Sequence, residues 1–211
     1  MARKNRRGTE PSGQGGAFEN VLDVARRLFA ERGYRHTTAE EIAAALGRSR
    51  GLAHVLVPGG KPRMLAEILM RDYDDAIRIA PQVRLKSRTI ANRVAERTRM
   101  RLAYDCPRLR LVMALWTAAP SDWPVETWRA VDAKLADLAD AIWGQTLKSP
   151  PGRHPDHMML ELLYIIALTR AAGIHGVDAP DAVVAEVLGL MHHAGAVIER
   201  SRSLPADVAR R

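Results

Sequence analysis

Residues 38–57 read TAEEIAAALGRSRGLAHVLV, a pattern that predicts a helix, a tight turn and a second short helix. Thr38 and Glu41 are spaced as a capping box, in which each side chain satisfies a backbone N–H left over at the helix start. Ile42 and Leu46 then recur at helical spacing beside Ala43 and Ala45. Gly47 follows where the chain must turn with positive φ, which glycine does without steric cost. After Arg48 as spacer, Ser49 is placed to cap a second helix through Val57, whose first turn presents Arg48, Ser49, Arg50 and the side-chain-free Gly51. Two helices joined this tightly, the second opening on basic and hydroxyl groups, suit the major groove of DNA.

The preceding stretch supports that reading. Phe18, Leu22, Ala25 and Phe29, widened by Val21 and Leu28, form one apolar stripe, the mark of a supporting helix over residues 18–32. The whole run LDVARRLFAERGYRHTTAEEIAAALGRSRG, residues 22–51, resembles the N-terminal DNA-binding domain of the tetracycline-repressor (TetR) family. Ala25, Leu28, Phe29, Gly33, Thr38, Ile42, Ala43, Gly47, Ser49 and Gly51 stand at matching positions. The resemblance implies an all-α fold, with an N-terminal three-helix helix-turn-helix domain followed by a larger helical ligand-binding and dimerisation domain. It covers roughly the first quarter of the chain, and the rest matches in length and helical layout alone.

The pattern also departs from the family. Where members usually carry a tyrosine, a further aromatic or histidine, and a phenylalanine, this chain has His54, Val55, Leu56 and Val57. The tyrosine would pack on the sugar-phosphate backbone, and a lysine at the next helix start would meet a phosphate. Here Pro58-Gly59-Gly60-Lys61-Pro62 follows, a run predicted to be non-helical, with Pro62 suited to the first position of a new helix. Lys61 or Arg63 is then the substitute for the phosphate-binding lysine. The DNA-facing candidates are Thr38, Arg48, Ser49, Arg50, Gly51, His54 and Lys61, joined by Arg3, Lys4, Arg6 and Arg7 of the N-terminal arm. That arm, residues 1–16, has no apolar periodicity and is expected to be disordered when free. It suits either an adjacent minor groove or plain solvation.

Composition bounds the rest. The 211 residues, 47% hydrophobic, are enough for a real core and exclude disorder throughout. The formal charge of +8 divides into +6 for residues 1–63, −2 for 64–83, +7 for 84–110 and −3 for 111–211. The basic N-terminal part favours a polyanionic partner. One cysteine, Cys106, excludes an internal disulfide. No uninterrupted run of about 18 apolar residues is present, and no apolar segment follows the basic N-terminus, so neither a membrane span nor a secretory signal is expected. A cytoplasmic location is the corresponding expectation.

Beyond the head, residues 62–80 predict a connecting helix with Met64, Leu65, Ile68, Leu69 and Ile77 on one side. Arg93, Arg97 and Arg101 then recur every four residues in a helix over 89–104, either as a solvated face or as an anion-binding wall. All four tryptophans, Trp116, Trp123, Trp128 and Trp143, fall within residues 116–143, as core packing or as the lining of an apolar cavity. Arg97, Arg101, Tyr104, Trp116, Trp128 and Trp143 are the ligand-binding candidates. The last two helices, over 156–174 and 180–201, are unusually apolar, and Ala194, Gly195 and Ala196 permit close approach. Such helices suit a symmetric interface, as the resemblance also implies.

His154 with His157, and His192 with His193, lack closed ligand spacing, and no nucleophile elbow, P-loop or dinucleotide fingerprint occurs, so no metal, cofactor or catalytic residue is expected. The expected division is an arm over 1–16, a head over 17–63, a connecting helix over 64–80 and a ligand-binding and dimerisation domain over 81–211. The expected function is a homodimeric repressor released from double-stranded operator DNA by a small apolar or amphipathic effector. The alternative is a small-molecule-binding helical dimer whose degenerate recognition helix leaves it acting through protein partners.

Overall fold

The computed structural model describes residues 12–47, 57–117, 123–150, 152 and 154–203, with backbone alone for 12–15 and 114–117. The arm positions Arg3, Lys4, Arg6 and Arg7, and the segment Arg48, Ser49, Arg50, Gly51 and His54, lie outside the described residues.

The apolar stripe of the first helix, α1 (Ser12–Arg32), is buried as its periodicity predicts, with Val21, Ala25 and Phe29 fully enclosed. The helix begins earlier than expected, taking in residues 12–16 of the stretch read as a disordered arm. Adding a turn to an existing helix costs far less than nucleating one, so even a glycine-rich segment can follow. Gly33, at φ 84, ends α1, and Tyr34 then packs its ring edge-on to Phe29 at 5.3 Å between centroids. The Thr37 hydroxyl donates to the Gly33 carbonyl at 2.9 Å, which holds the connection into α2 (Ala39–Ala45).

Next, α3 runs Gly60–Ile79, so Gly60 and Lys61 are helical, contrary to the expectation for the run ending at Pro62. Proline is tolerated through the whole first turn, because none of the first four N–H groups has a partner inside the helix. Met64, Leu65, Ile68, Leu69 and Tyr73 of α3 are buried, and α3 leaves the head to pack along the rest of the chain. A 3-10 turn (Ala80–Gln82) ends it. Then follow α4 (Ile90–Asp105), α5 (Leu109–Thr117), α6 (Val125–Leu147), α7 (Pro155–His175) and α8 (Pro180–Ser203). No strand occurs among the described residues.

The pairing of α4 with α8 is the most extensive helix contact, and α6 crosses the other side of α4. Both Glu199 carboxylate oxygens reach the N-terminus of α4, accepting from Ile90 N at 3.2 Å and Ala91 N at 3.4 Å, where a negative charge complements the helix dipole. Wrapped in this way, α4 has no solvated face along its arginine stripe. Arg93 and Arg97 are 6% and 3% exposed, so the solvated-face reading of the stripe is overturned.

By length and composition α7 and α8 could each cross a membrane, although neither contains an uninterrupted apolar run of that length. Half of α7's most apolar stretch is buried inside the protein, where it includes the fully enclosed Glu161. What remains outside on α7 is a stripe of Met159, Leu162, Leu163 and Ile166 at i, i+3, i+4 and i+7 spacing, continued on α8 by Leu190 and Val197. Gly195, read from the sequence as a close-approach position for a symmetric interface, is buried within the protomer. A Cβ there would stand 2.8 Å from the Ala91 Cα.

Candidate functional site

At the head, Thr38 caps α2 as its spacing predicts. Its hydroxyl accepts from Glu41 N at 3.2 Å, while Thr38 N donates to Glu41 Oε2 at 2.8 Å. The backbone bond of Thr38, helped by the Thr38 hydroxyl and the Arg32 guanidinium, holds the Glu41 carboxyl below its ordinary pKa against the opposing effect of burial. Gly47 then turns the chain at φ 64, the left-handed geometry read from the sequence. Thr38 itself stays exposed at the start of the motif, on the side from which the chain enters it. Lys61 lies over the Tyr34 ring at 4.1 Å from its centroid and donates to the Tyr34 carbonyl at 3.0 Å. The α1–α2 connection and the start of α3 are thereby tied together, with the Lys61 charge beside the turn that feeds the motif.

A second site opens between α3, α4, α6 and α7. Leu69, Ala76, Met100, Leu138, Ile165 and Leu168 give an apolar wall to a cavity of about 150 Å³. At its mouth stand Ile79, Met100 and Tyr104, each close to 40% exposed. The polar groups are concentrated on one side. Arg101 Nη1 donates to Glu161 Oε2 and its Nε to Asp105 Oδ2 at 3.4 Å, and its guanidinium lies 4.2 Å from the Tyr164 ring centroid. Tyr164 OH donates to Asp105 Oδ2 at 2.6 Å, and Trp143 Nε1 to Glu161 Oε2 at 2.9 Å. Burial alone would lower the Arg101 pKa, but the Glu161 and Asp105 carboxylates outweigh it and hold the guanidinium more firmly protonated than usual. Burial also raises the phenols of Tyr73 and Tyr164, helped respectively by the Glu161 and Asp105 charges, so both remain neutral donors. The Tyr73 hydroxyl, enclosed on the cavity wall, has no hydrogen-bond partner among the described residues.

Of the sequence-derived ligand candidates, the structure brings Arg97, Arg101 and Tyr104 together at this cavity. Trp128 and Trp143 are not part of its lining. Trp128 stacks at 4.6 Å on Trp123, and Trp143 is fully buried behind Glu161. The Trp116 side chain lies outside the described residues. Tyr73, Asp72 and Arg108 also line the cavity and were not singled out from the sequence. Tyr73 sits one helical turn beyond Leu69 on the apolar stripe of α3, and that periodicity is the signal that would have found it. His154 is engaged as the N-cap of α7 and His157 Nδ1 lies 2.7 Å from Asp140 Oδ1, while no group of three metal-ligating side chains forms among the described residues.

Asp72 joins the two sites. Its Oδ1 accepts from Arg26 Nη1 of α1 at 2.6 Å, and its Oδ2 lies 3.5 Å from Arg108 Nη1 on the cavity wall. Arg108 in turn lies 3.6 Å from Asp105 Oδ1, so an unbroken run of charged groups leads from the head to the cavity.

A capped helix ending in a left-handed glycine turn, mounted on a helical body that encloses an apolar cavity, is the arrangement the described residues present. Residues 21–54 match the model of the bacterial regulatory proteins of the tetR family. A solved tetR-family transcriptional regulator from Streptomyces coelicolor superimposes with a TM-score of 0.63 over 97% of this chain and 87% of that one, at 18% identity, and so shares the fold. Mycobacterium smegmatis AmtR aligns over 96% of this chain and 100% of that one at 19% identity, with a TM-score of 0.44. Comparison with curated proteins returns no match.

Proposed function

We propose that the protein is a ligand-responsive repressor, acting as a cytoplasmic homodimer that a small apolar or amphipathic molecule releases from its operator. The observation that carries this reading is the Arg26–Asp72–Arg108 connection between head and cavity. A ligand that fits the cavity better when α3 is displaced would favour the state in which Asp72 no longer holds Arg26, and the head would reorient. Operator affinity would fall by the ligand's differential affinity for the two states and by no more. In this reading residues up to 63 form the head, 64–80 the connecting helix, and 81–211 the ligand-binding and dimerisation part.

DNA contact is assigned to Thr38, Arg48, Ser49, Arg50, Gly51, His54 and Lys61, with Arg3, Lys4, Arg6 and Arg7 on the adjacent duplex. Binding to the DNA upstream of the protein's own gene, followed as a function of salt, tests the assignment. Deleting residues 1–10 should lower both the affinity and the salt slope, because arm arginines and lysine release counterions from phosphate. Arg50→Ala should cost about 1–3 kcal/mol at one operator position and relax base choice there. Absence of sequence-specific binding even at low salt would exclude the repressor and leave a dimer acting through protein partners.

Dimerisation is assigned to the exposed apolar stripe of α7 with Leu190 and Val197 of α8. Ile166, at 59% the most exposed of these residues, tolerates a charge in a monomer but not in a closed apolar interface. Ile166→Glu is therefore expected to give folded monomers by light scattering, and an unchanged dimer would move the interface elsewhere.

A further inference from the structure

Three arginines line the cavity, and they differ in what neutralises them. Arg101 has two carboxylates, Glu161 and Asp105, and Arg108 has Asp72 and Asp105. Arg97 has no carboxylate within ion-pair distance among the described residues, although it is 3% exposed. Its bonds go to neutral acceptors: Nε to Thr146 Oγ1 at 3.3 Å, Nη1 to the Ala80 carbonyl at 3.1 Å and Nη2 to Gln145 Oε1 at 3.2 Å. Three of the five guanidinium N–H groups are thereby used and two remain. The nearest acid in sequence, Glu96, is committed to the backbone N–H groups of Lys86 and Ser87. Burial consequently lowers the Arg97 pKa, against a weaker opposing effect of Glu96. A buried cation without a counter-charge is costly, and an anion that reaches it recovers much of that cost through charge-assisted hydrogen bonds.

Resting on the reading of the cavity as the effector site, we infer that the effector is a monocarboxylate with a compact apolar body, its carboxylate held by Arg97. Arg101 and Arg108 do not compete for the head group, because their charge is already matched by acids of the protein. The body lies against Leu69, Ala76, Leu138 and Leu168. A cavity of about 150 Å³ matches the size that encloses one benzene ring, which sets the body at roughly six to ten non-hydrogen atoms. Exposed Ile79 and Met100 at the mouth accommodate a longer tail. A second anionic group would have no unmatched cation to meet on this wall, so the ligand carries a single charge.

The test compares hexanoate, octanoate and decanoate with the alcohols and amines of the same chain lengths by titration calorimetry on the full-length protein. Octanoate is expected to bind at least about ten-fold more tightly than octanol, with octylamine weaker than either. Arg97→Gln should bring octanoate down to the octanol level while leaving octanol unchanged. A second measurement needs no variant: the carboxyl resonance of bound [1-13C]octanoate in the wild type should stay at its ionised position about one pH unit below the midpoint of the free acid, because the guanidinium favours the carboxylate. Equal binding of octanol and octanoate, or a bound carboxyl that titrates like the free acid, would overturn the head-group assignment and leave the cavity reading intact. Failure of every acid, alcohol and amine to bind would remove both.

Discussion

Glu161→Ala is expected to destabilise the protein by about 3–5 kcal/mol, the usual consequence of removing one member of a buried ion pair. Glu161 is fully enclosed, and it accepts from both Arg101 Nη1 and Trp143 Nε1. Its removal leaves the guanidinium dependent on Asp105 and leaves an indole N–H without an acceptor in the core. For a chain of this length the loss corresponds to a fall in melting temperature of roughly 6–20 °C, measurable by circular dichroism. The double variant Arg101→Met/Glu161→Leu should recover much of the loss, since apolar groups of similar volume need no counter-charge. A single-variant loss below about 1 kcal/mol would show that Asp105 alone can neutralise Arg101.

Gly195→Leu is expected to prevent α8 from docking on α4. A Cβ at this position would meet the Ala91 Cα at 2.8 Å and the Val94 Cβ at 3.0 Å, neither of which is a flexible chain end. Gly195→Ala already forces the helices apart, at a cost of about 1–3 kcal/mol less the gain of up to about 1 kcal/mol from replacing a helical glycine. Gly173 on α7, where an added methyl would have no neighbour within 4 Å among the described residues, is the control, and Gly173→Ala should be neutral or stabilising. Denaturant unfolding separates the two, and equal behaviour at both positions would show that α4 and α8 can relax apart without cost. The sequence reading placed Gly195 at the close approach of a symmetric interface, whereas the structure packs it against Ala91 and Val94 of the same protomer.

Local chemistry was legible in the residues themselves. The Thr38–Glu41 box, the left-handed turn at Gly47 and the stripe from Leu22 to Phe29 depend on contacts a few residues apart, so spacing determines them. Together they carry the resemblance of residues 22–51 to the tetR family. Partnership across the fold was not legible. Periodicity places Arg93, Arg97 and Arg101 on one side of α4, but whether that side meets water or protein depends on α6 and α8, which are distant in the chain. The four tryptophans are neighbours in sequence, yet Trp143 turns to Glu161 while Trp128 turns to Trp123. A small residue signals close approach without naming what approaches, and Ala91 lies more than a hundred residues from Gly195. By itself, the sequence determined an all-α chain with a capped helix and glycine turn near its start, because local hydrogen bonding and helical period are short-range. Tertiary structure alone decided which buried arginines meet a carboxylate, as Arg101 does, and which, Arg93 and Arg97, meet neutral acceptors instead, because neutralisation depends on groups that only folding brings within ion-pair distance.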